Sequence, residues 1–201
     1  MVRLDSNIWL HFSNGFCHVS SFSHEGRSII GLLTAIETVP TPEHWLLGIV
    51  LLTVYASIAL TWGFKNNFLK FQLLQSPLKI DQMVVSSFFA PALIEEIVFR
   101  VLLLPQPTQN LQQLSPITVI VNLLIFVLYH PLNSLTFFSS GCKTFCDPTF
   151  LSLATLLGTI CMIAYWLSSF LWLPVVLHWI VVITWLIVLG GYNLLTPSDL
   201  D

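Results

Sequence analysis

The sequence contains few charged residues. Asp, Glu, Lys and Arg make up 8% of the 201 residues, whereas a soluble domain carries about 25%. A soluble protein of this length needs a charged surface to remain dispersed, and this chain does not have one. Hydrophobic residues account for 55% of the sequence, and the mean hydropathy is +0.83. This composition predicts a protein that resides mostly in a lipid bilayer.

Basic residues are also scarce and scattered. The formal net charge is -3. The sequence has no run of Lys or Arg that would follow a phosphate backbone, so we exclude a nucleic-acid partner. Polar residues from Asp5 to Asn14 interrupt the N-terminal segment, and we therefore expect no cleavable signal peptide.

Cysteine occurs only four times. Cys161 lies within an apolar run and is predicted to be a small buried hydrophobic residue. Cys142 and Cys146 form a C-x3-C pair in a loop, and a pair alone is weak support for a metal site. We interpret it as a chance spacing or a labile loop disulfide.

Apolar segments long enough to cross a bilayer follow one another along the chain. We predict about five spanning segments, each about 20 residues or about 30 Å of helix. They are Trp45–Phe64, Met83–Leu104, Ile117–Phe138, Phe150–Phe170 and Trp172–Gly191. The predicted fold class is therefore all-α, a polytopic transmembrane helix bundle. We expect an integral, multi-pass protein of the plasma membrane or of an internal membrane.

The remaining residues flank this bundle. Residues 1–44 are more polar and are predicted to form an interfacial region. Its apolar run Ile29–Ile36 is too short to span a bilayer and is interpreted as an interfacial or packed helix. Residues 45–191 form the predicted transmembrane core, and residues 192–201 form a C-terminal tail.

Three ionisable residues interrupt the second predicted span: Glu95, Glu96 and Arg100. Each costs roughly 2.5 to 3.5 kcal/mol at the centre of a membrane helix, so they must face the bundle interior and find partners. Glu96 and Arg100 share a helix face at i, i+4 and are predicted to form an ion pair. Glu95 is rotated by about 100° from Glu96. An ion pair that only holds two helices together would explain Glu96 and Arg100, but it would not explain Glu95.

Two histidines lie in later spans, His130 in the third and His178 in the fifth. Counting along the predicted helices from the same membrane face places Glu95 and both histidines within about 8 Å of one another in depth. A single histidine in an apolar helix is commonly a core residue. Two of them at the depth of a buried Glu pair predict one shared site.

These side chains are suited to hydrolysis. Glu95 and His130 would hold a water molecule and take its proton, and His178 would donate to the oxyanion that forms on a peptide carbonyl. Other hydrolase signatures are missing, since no His-Glu-x-x-His motif occurs and no Asp lies within a predicted span. A zinc site of His130, His178 and a Glu is the chemical alternative.

The motif set resembles the CPBP family, the CAAX prenyl protease and bacteriocin-processing group of intramembrane glutamate endopeptidases, also called the ABI family. The resemblance rests on Glu95-Glu96-Ile-Val-Phe-Arg100, on Phe126-x-x-x-His130 and on His178. It implies a multi-helix membrane core with an enclosed polar cavity. In that cavity Glu95 and His130 would activate water, His178 would help to bind the oxyanion, and Glu96 with Arg100 would organise the site.

The resemblance also implies partners: a lipid bilayer and a peptide or membrane-protein substrate, prenylated in the best-known cases. No cofactor and no metal are expected. The third motif departs from the family pattern, which commonly has Asn or Asp where this chain has Val182. Asn133 and Asn122 are candidates to replace that side chain.

Two other functions remain open at this point. Val182 is compatible with a non-catalytic scaffold or a bacteriocin-immunity-type protein that retains the cavity but not the reaction. Buried Glu, Arg and His also occur in small proton-coupled carriers, although the sequence lacks the internal repeat that many carriers have.

Overall fold

A computed structural model describes residues 32–105, 115–136 and 141–196, with side chains as far as residue 134 in the second range. About 81% of these residues are helical, and none of them belongs to a β-strand. A short helix at 32–37 comes first. The helices that follow are α1 Pro42–Lys65, α2 Pro77–Ser87, α3 Ile94–Glu96, α4 Pro116–Thr136, α5 Cys142–Phe145, α6 Pro148–Ser168, α7 Trp172–Ile187 and α8 Gly191–Leu195.

The long helices have the dimensions of membrane spans. Within the described part of the chain, α1, α4 and α6 are long and apolar enough to cross a membrane, and α7 is apolar but shorter. Large apolar side chains cover the outer face of α1 and are exposed, as expected where lipid is the solvent; they include Leu46, Ile49, Val50 and Val54. These features confirm the predicted all-α membrane bundle, whereas the number of spans stays a prediction.

The predicted span Met83–Leu104 is not one regular helix, and this part of the prediction is corrected. Helix α2 ends at Ser87, and Ala90 has extended backbone angles, with φ of -137° and ψ of 112°. Pro91 lacks an N–H group and its ring clashes with the preceding turn, so it breaks the helix here. Two π-helical segments, Phe88–Leu93 and Ile97–Leu102, flank α3.

The predicted fifth span also ends earlier than expected. Helix α7 stops at Ile187, and an extended segment lies against its C-terminal end. Backbone N–H groups of Lys70, Gln72 and Leu74 donate to the carbonyls of residues 189, 188 and 187 at 3.3, 3.0 and 2.9 Å. These bonds satisfy carbonyls that a helix end otherwise leaves without partners.

The short helix at 32–37 packs on the turn between α6 and α7. The Leu171 N–H donates to the carbonyl of Ala35 at 3.1 Å, and the Trp172 indole donates to the carbonyl of Ile36 at 3.2 Å. The predicted helix Ile29–Ile36 lies partly outside the described residues, as do residues 1–31 and 197–201. The division into an N-terminal region, a core and a tail stays a prediction.

Helix α6 is the centre of the bundle, and a glycine allows α4 to approach it closely. A Cβ atom at Gly158 would lie 2.8 Å from Cδ1 of Phe126 and 3.0 Å from Cδ1 of Leu123. Small residues at such crossings are what permits tight helix packing in membranes. Phe126 in turn contacts the ring of His130, with centroids 5.0 Å apart.

We predict that Gly158→Ala destabilises the bundle by about 1–3 kcal/mol, because the added methyl group overpacks the α4–α6 crossing. Thermal unfolding in detergent measures the effect. Ser152→Ala, an exposed position on the same helix, is the matched control and should leave the unfolding temperature unchanged. Equal stability of the two variants would contradict the close approach of α4 and α6.

Candidate active site

The ion pair predicted from the i, i+4 spacing is present and fully buried. Nε of Arg100 donates to Oε2 of Glu96 at 2.9 Å, and neither side chain is exposed. Helix α4 adds a further partner, since Nη1 of Arg100 donates to Oδ1 of Asn122 at 3.0 Å. The Asn122 amide donates in turn to the carbonyl of Phe99 at 2.9 Å. The Arg100 guanidinium also lies 5.1 Å from the centroid of the Phe126 ring.

His178 is held against the same carboxylate. Its Nδ1 lies 2.8 Å from Oε1 of Glu96, and the side chain is 2% exposed. A carboxylate oxygen accepts, so Nδ1 carries the proton of this hydrogen bond. The opposite ring nitrogen, Nε2, lies 3.9 Å from Oε2 of Glu95. Glu96 therefore fixes the direction in which His178 presents Nε2.

Glu95 differs from Glu96 in its environment. Its side chain is 7% exposed, and it lines a cavity, whereas Glu96 does not. Its Oε2 is buried and makes no hydrogen bond to any of the described residues. Buried polar atoms normally have partners. This oxygen can accept a hydrogen bond from a water molecule or from a substrate group.

His130 reaches the cavity from α4. Its Nδ1 lies 2.9 Å from the carbonyl oxygen of Phe126, which can only accept. Nδ1 is therefore the protonated nitrogen, and Nε2 carries the lone pair. Aromatic rings surround the imidazole at centroid distances of 5.0 to 6.4 Å, namely those of Phe126, Tyr129, Phe145 and Phe150.

One cavity of about 860 Å³ brings these groups together. Glu95, His130 and His178 all line it, and Val182 lines it too. Most of the remaining lining is apolar and comes from α1, α2, α6 and α7. The further polar lining residues are Tyr55, Gln82, Ser86, Ser87, Tyr129, Asn133, Thr184, Tyr192 and Thr196. The volume suits a small ligand or a short peptide segment.

The sequence interpretation missed the surroundings of Glu96. Asn122 was considered only as a substitute for the residue at position 182, yet it bonds to Arg100 and does not line the cavity. Cys161 was predicted to be a buried hydrophobic residue. It is indeed fully buried, but its Sγ lies within 4.8 Å of the ligand atoms of Glu96 and His178.

The structure shows where the candidate zinc ligands and the cysteines of the described residues lie. Among the described residues, the one group of potential metal ligands is Glu96, Cys161 and His178, and it does not include His130. The zinc site proposed from sequence, with both histidines and a Glu, is therefore not formed there. Cys142 begins α5 and Cys146 follows its end. Both are free thiols, so the labile disulfide considered from the sequence is not formed.

Comparison with known proteins identifies the family. A family model described as type II CAAX prenyl endopeptidase Rce1-like matches residues 78–184, more than half of the chain. The chain belongs to the Rce1-like family. The matched region contains all five predicted site residues, and it confirms the resemblance to the CPBP proteins. No curated protein and no solved structure matches the chain.

Membership of the Rce1-like family indicates the general function of the chain and its location in a membrane. The family is one of proteases, so the chain has a CAAX-protease-type function in general terms. Together with the apolar helices, it identifies an integral membrane protein with a bilayer environment and a peptide substrate. The scaffold and immunity-type alternatives are not favoured.

We predict that Arg100→Met lowers the free energy of unfolding by about 3–5 kcal/mol, because it leaves the buried Glu96 carboxylate without its cation. Combining it with Glu96→Gln should recover part of the loss, since the buried charge is then removed. Thermal unfolding in detergent of both single variants and the double variant tests this. Lys70→Met, at an exposed position, is the control. An Arg100→Met protein as stable as this control would show that the pair carries little of the stability.

Proposed function

We propose that the chain is an intramembrane endopeptidase in which Glu95 and His130 activate a water molecule and His178 stabilises the oxyanion. The observation that carries the proposal is the shared cavity, which a carboxylate and two imidazoles from three separate segments line. Glutamate-type catalysis by these residues goes beyond the family match and rests on the geometry and chemistry of the site.

Two acceptors are available for the water. Oε2 of Glu95 makes no hydrogen bond to the described residues, and Nε2 of His130 carries a lone pair because Nδ1 donates to the Phe126 carbonyl. A water between them would lose its proton to the carboxylate as its oxygen attacks the peptide carbonyl carbon. When the C–N bond breaks, the same carboxyl group returns the proton to the leaving amine.

His178 has the arrangement of an electrostatic stabiliser. Its Nδ1–H is bound to Glu96 at 2.8 Å, and as an imidazolium it also carries a proton on Nε2. That second N–H is directed at the side of the cavity where Glu95 lies. The Nε2–H group can stabilise the negative charge that develops on the carbonyl oxygen, and the His178 ring does not have to reorient. Arg100 holds Glu96, and Asn122 holds Arg100, which extends the support of His178 to two further helical segments.

The walls of the cavity suggest the class of substrate. Apolar side chains such as Leu52, Leu60, Phe68 and Val181 also line the cavity, and the volume accommodates a lipid-modified peptide end. We propose a peptide whose cleavage site lies within or beside the bilayer, with a prenylated C-terminal CAAX peptide as the first substrate to test.

We predict that Glu95→Gln reduces kcat for peptide cleavage by about 10²–10⁴-fold, the usual contribution of a positioned general base. The amide is nearly isosteric, so folding should be retained. The purified protein in detergent is assayed with a prenylated CAAX peptide and with its unprenylated form. Glu43→Gln, an exposed position at the start of α1, is the control. Undiminished cleavage by Glu95→Gln would end the proposal.

We also predict that metal chelators leave the activity intact. Glu96 is already bound to Arg100 and His178, so the one cluster of potential ligands is engaged in its own hydrogen bonds. Cleavage is measured after dialysis against EDTA and again after addition of Zn²⁺. Loss of activity on dialysis, restored by Zn²⁺, would favour metal-assisted hydrolysis instead.

A further inference from the structure

A second, smaller cavity lies at one end of the bundle, and we call it the end groove. Its volume is about 210 Å³. The connection between α1 and α2, the end of α7 and the start of α8 enclose it, and its polar lining residues are Gln72, Gln75, Tyr192 and Asn193. Leu186 and Tyr192 line both this groove and the larger cavity that holds the proposed catalytic residues. The two spaces therefore adjoin each other.

Backbone contacts determine the shape of the end groove. The N–H groups of residues 70, 72 and 74 donate to the end of α7, which holds this segment in an extended form. On the other wall Gly190 has a φ of 80°, a conformation that glycine adopts without strain. A Cβ atom at Gly190 would lie 3.3 Å from the carbonyl oxygen of Lys70 and 3.5 Å from Oε1 of Gln72. The two walls are thus in close contact, and the Gln72 amide lies at this turn.

The lining of the end groove is polar but uncharged. Of the described residues that line it, none is Asp, Glu, His, Cys, Lys or Arg. The ammonium of Lys79 lies 5.1 Å from the centroid of the Tyr192 ring, but Lys79 is exposed and does not line the groove. A metal ion or an anionic lipid headgroup would therefore have no charged partner inside the groove.

Amide side chains are suited to binding a peptide backbone. Each carries donors and an acceptor, and a peptide unit presents one N–H and one carbonyl group. The side chains of Gln72, Gln75 and Asn193 are exposed, and they make no hydrogen bond to the other described residues. The chemistry of the groove thus favours an uncharged stretch of polypeptide as its occupant.

We infer that the end groove binds an extended part of the substrate polypeptide, on the amino side of the cleaved bond. This inference rests on the proposed function and adds a second binding site for the same substrate. Leu186 lies eight residues after His178 in α7, about 12 Å along the helix. An extended chain covers about 3.3 Å per residue. The residue in the groove is therefore about four positions from the cleaved bond.

The location of the groove indicates which side of the bond it meets. It lies beyond the end of α7 at Ile187 and before the start of α2 at Pro77, so it is outside the apolar helices. A CAAX sequence is the C-terminus of its protein, so the rest of the substrate lies on the amino side of the cleaved bond. That part of the chain must leave the bundle, and the groove adjoins the larger cavity at this end.

Peptide length tests the inference. The full chain in detergent is assayed with two prenylated CAAX peptides of the same C-terminal sequence, which begin two and six residues before the cleaved bond; mass spectrometry of the products identifies that bond. We expect kcat/KM to be at least about fivefold higher for the longer peptide, because each hydrogen bond contributes about two- to tenfold. The gain should be in KM, since the groove does not contact the reacting atoms.

Variants of the groove show whether its amides cause this preference. Gln72→Met combined with Asn193→Leu removes both amides but retains side chains of similar size. We expect the preference for the longer peptide to fall below about twofold, while cleavage of the shorter peptide is unchanged. Asn66→Leu is the matched control, since Asn66 is in the same connection but donates to the Trp62 carbonyl and does not line the groove. It should retain the preference.

Two results would overturn the inference. One is a wild-type protein that cleaves both peptides with equal kcat/KM. The other is a double variant that retains the full preference, which would show that the longer peptide is recognised elsewhere. N-methylation of the peptide nitrogens three to five residues before the cleaved bond should also remove the preference, because these groups can then no longer donate.

A binding measurement separates the end groove from the proposed function. Fluorescently labelled forms of both peptides are titrated with Glu95→Gln protein, and the longer one should have a Kd at least about fivefold lower. If the wild type cleaves peptide but neither kcat/KM nor Kd depends on length, only the role of the groove is wrong. If no peptide is cleaved but the groove variants abolish the tighter binding, the endopeptidase function fails and the groove remains a peptide-binding site.

Discussion

The two-sided hydrogen bonding of the Glu96 carboxylate is the interaction on which the site depends. Nε of Arg100 donates to Oε2 of Glu96 at 2.9 Å, and Nδ1 of His178 donates to Oε1 at 2.8 Å. A carboxylate buried in a membrane protein is costly without such partners. The bond to His178 joins α3 to α7 and orients His178. Stability and the geometry of the proposed mechanism therefore depend on one charged group that does not itself line the cavity.

This arrangement gives the neighbouring acids different roles. Both oxygens of Glu96 accept hydrogen bonds, from Arg100 and from His178. Glu95 points in a different direction from the same segment and lines the cavity. Its Oε2 has no hydrogen-bond partner among the described residues. The helix break at Pro91 occurs one turn before this pair. Irregular backbone at membrane depth is tolerated where it lines a cavity, and here the irregular segment carries the residues that the reaction would use.

Local patterns in the sequence predicted much of this. The i, i+4 spacing predicted the Glu96–Arg100 pair. Depth along the apolar helices led us to expect Glu95 and both histidines at one site, which stays a prediction. Pro91 indicates the break in the second span, but the prediction of one continuous helix did not take this proline into account. The bonds of Asn122 and the position of Cys161 beside Glu96 were not predictable, because each depends on contacts between residues far apart in sequence, which helix periodicity does not encode.

The central claim is that Glu95 and His130 share one water molecule in a cavity within the lipid-embedded bundle. A high-resolution structure of the protein in lipid nanodiscs tests it most directly. The account predicts an ordered water within about 2.6–3.2 Å of both the Glu95 carboxylate and Nε2 of His130. Acyl chains packed against either imidazole, or a Glu95 carboxylate more than about 10 Å from His130 and so beyond a one-water bridge, would contradict it.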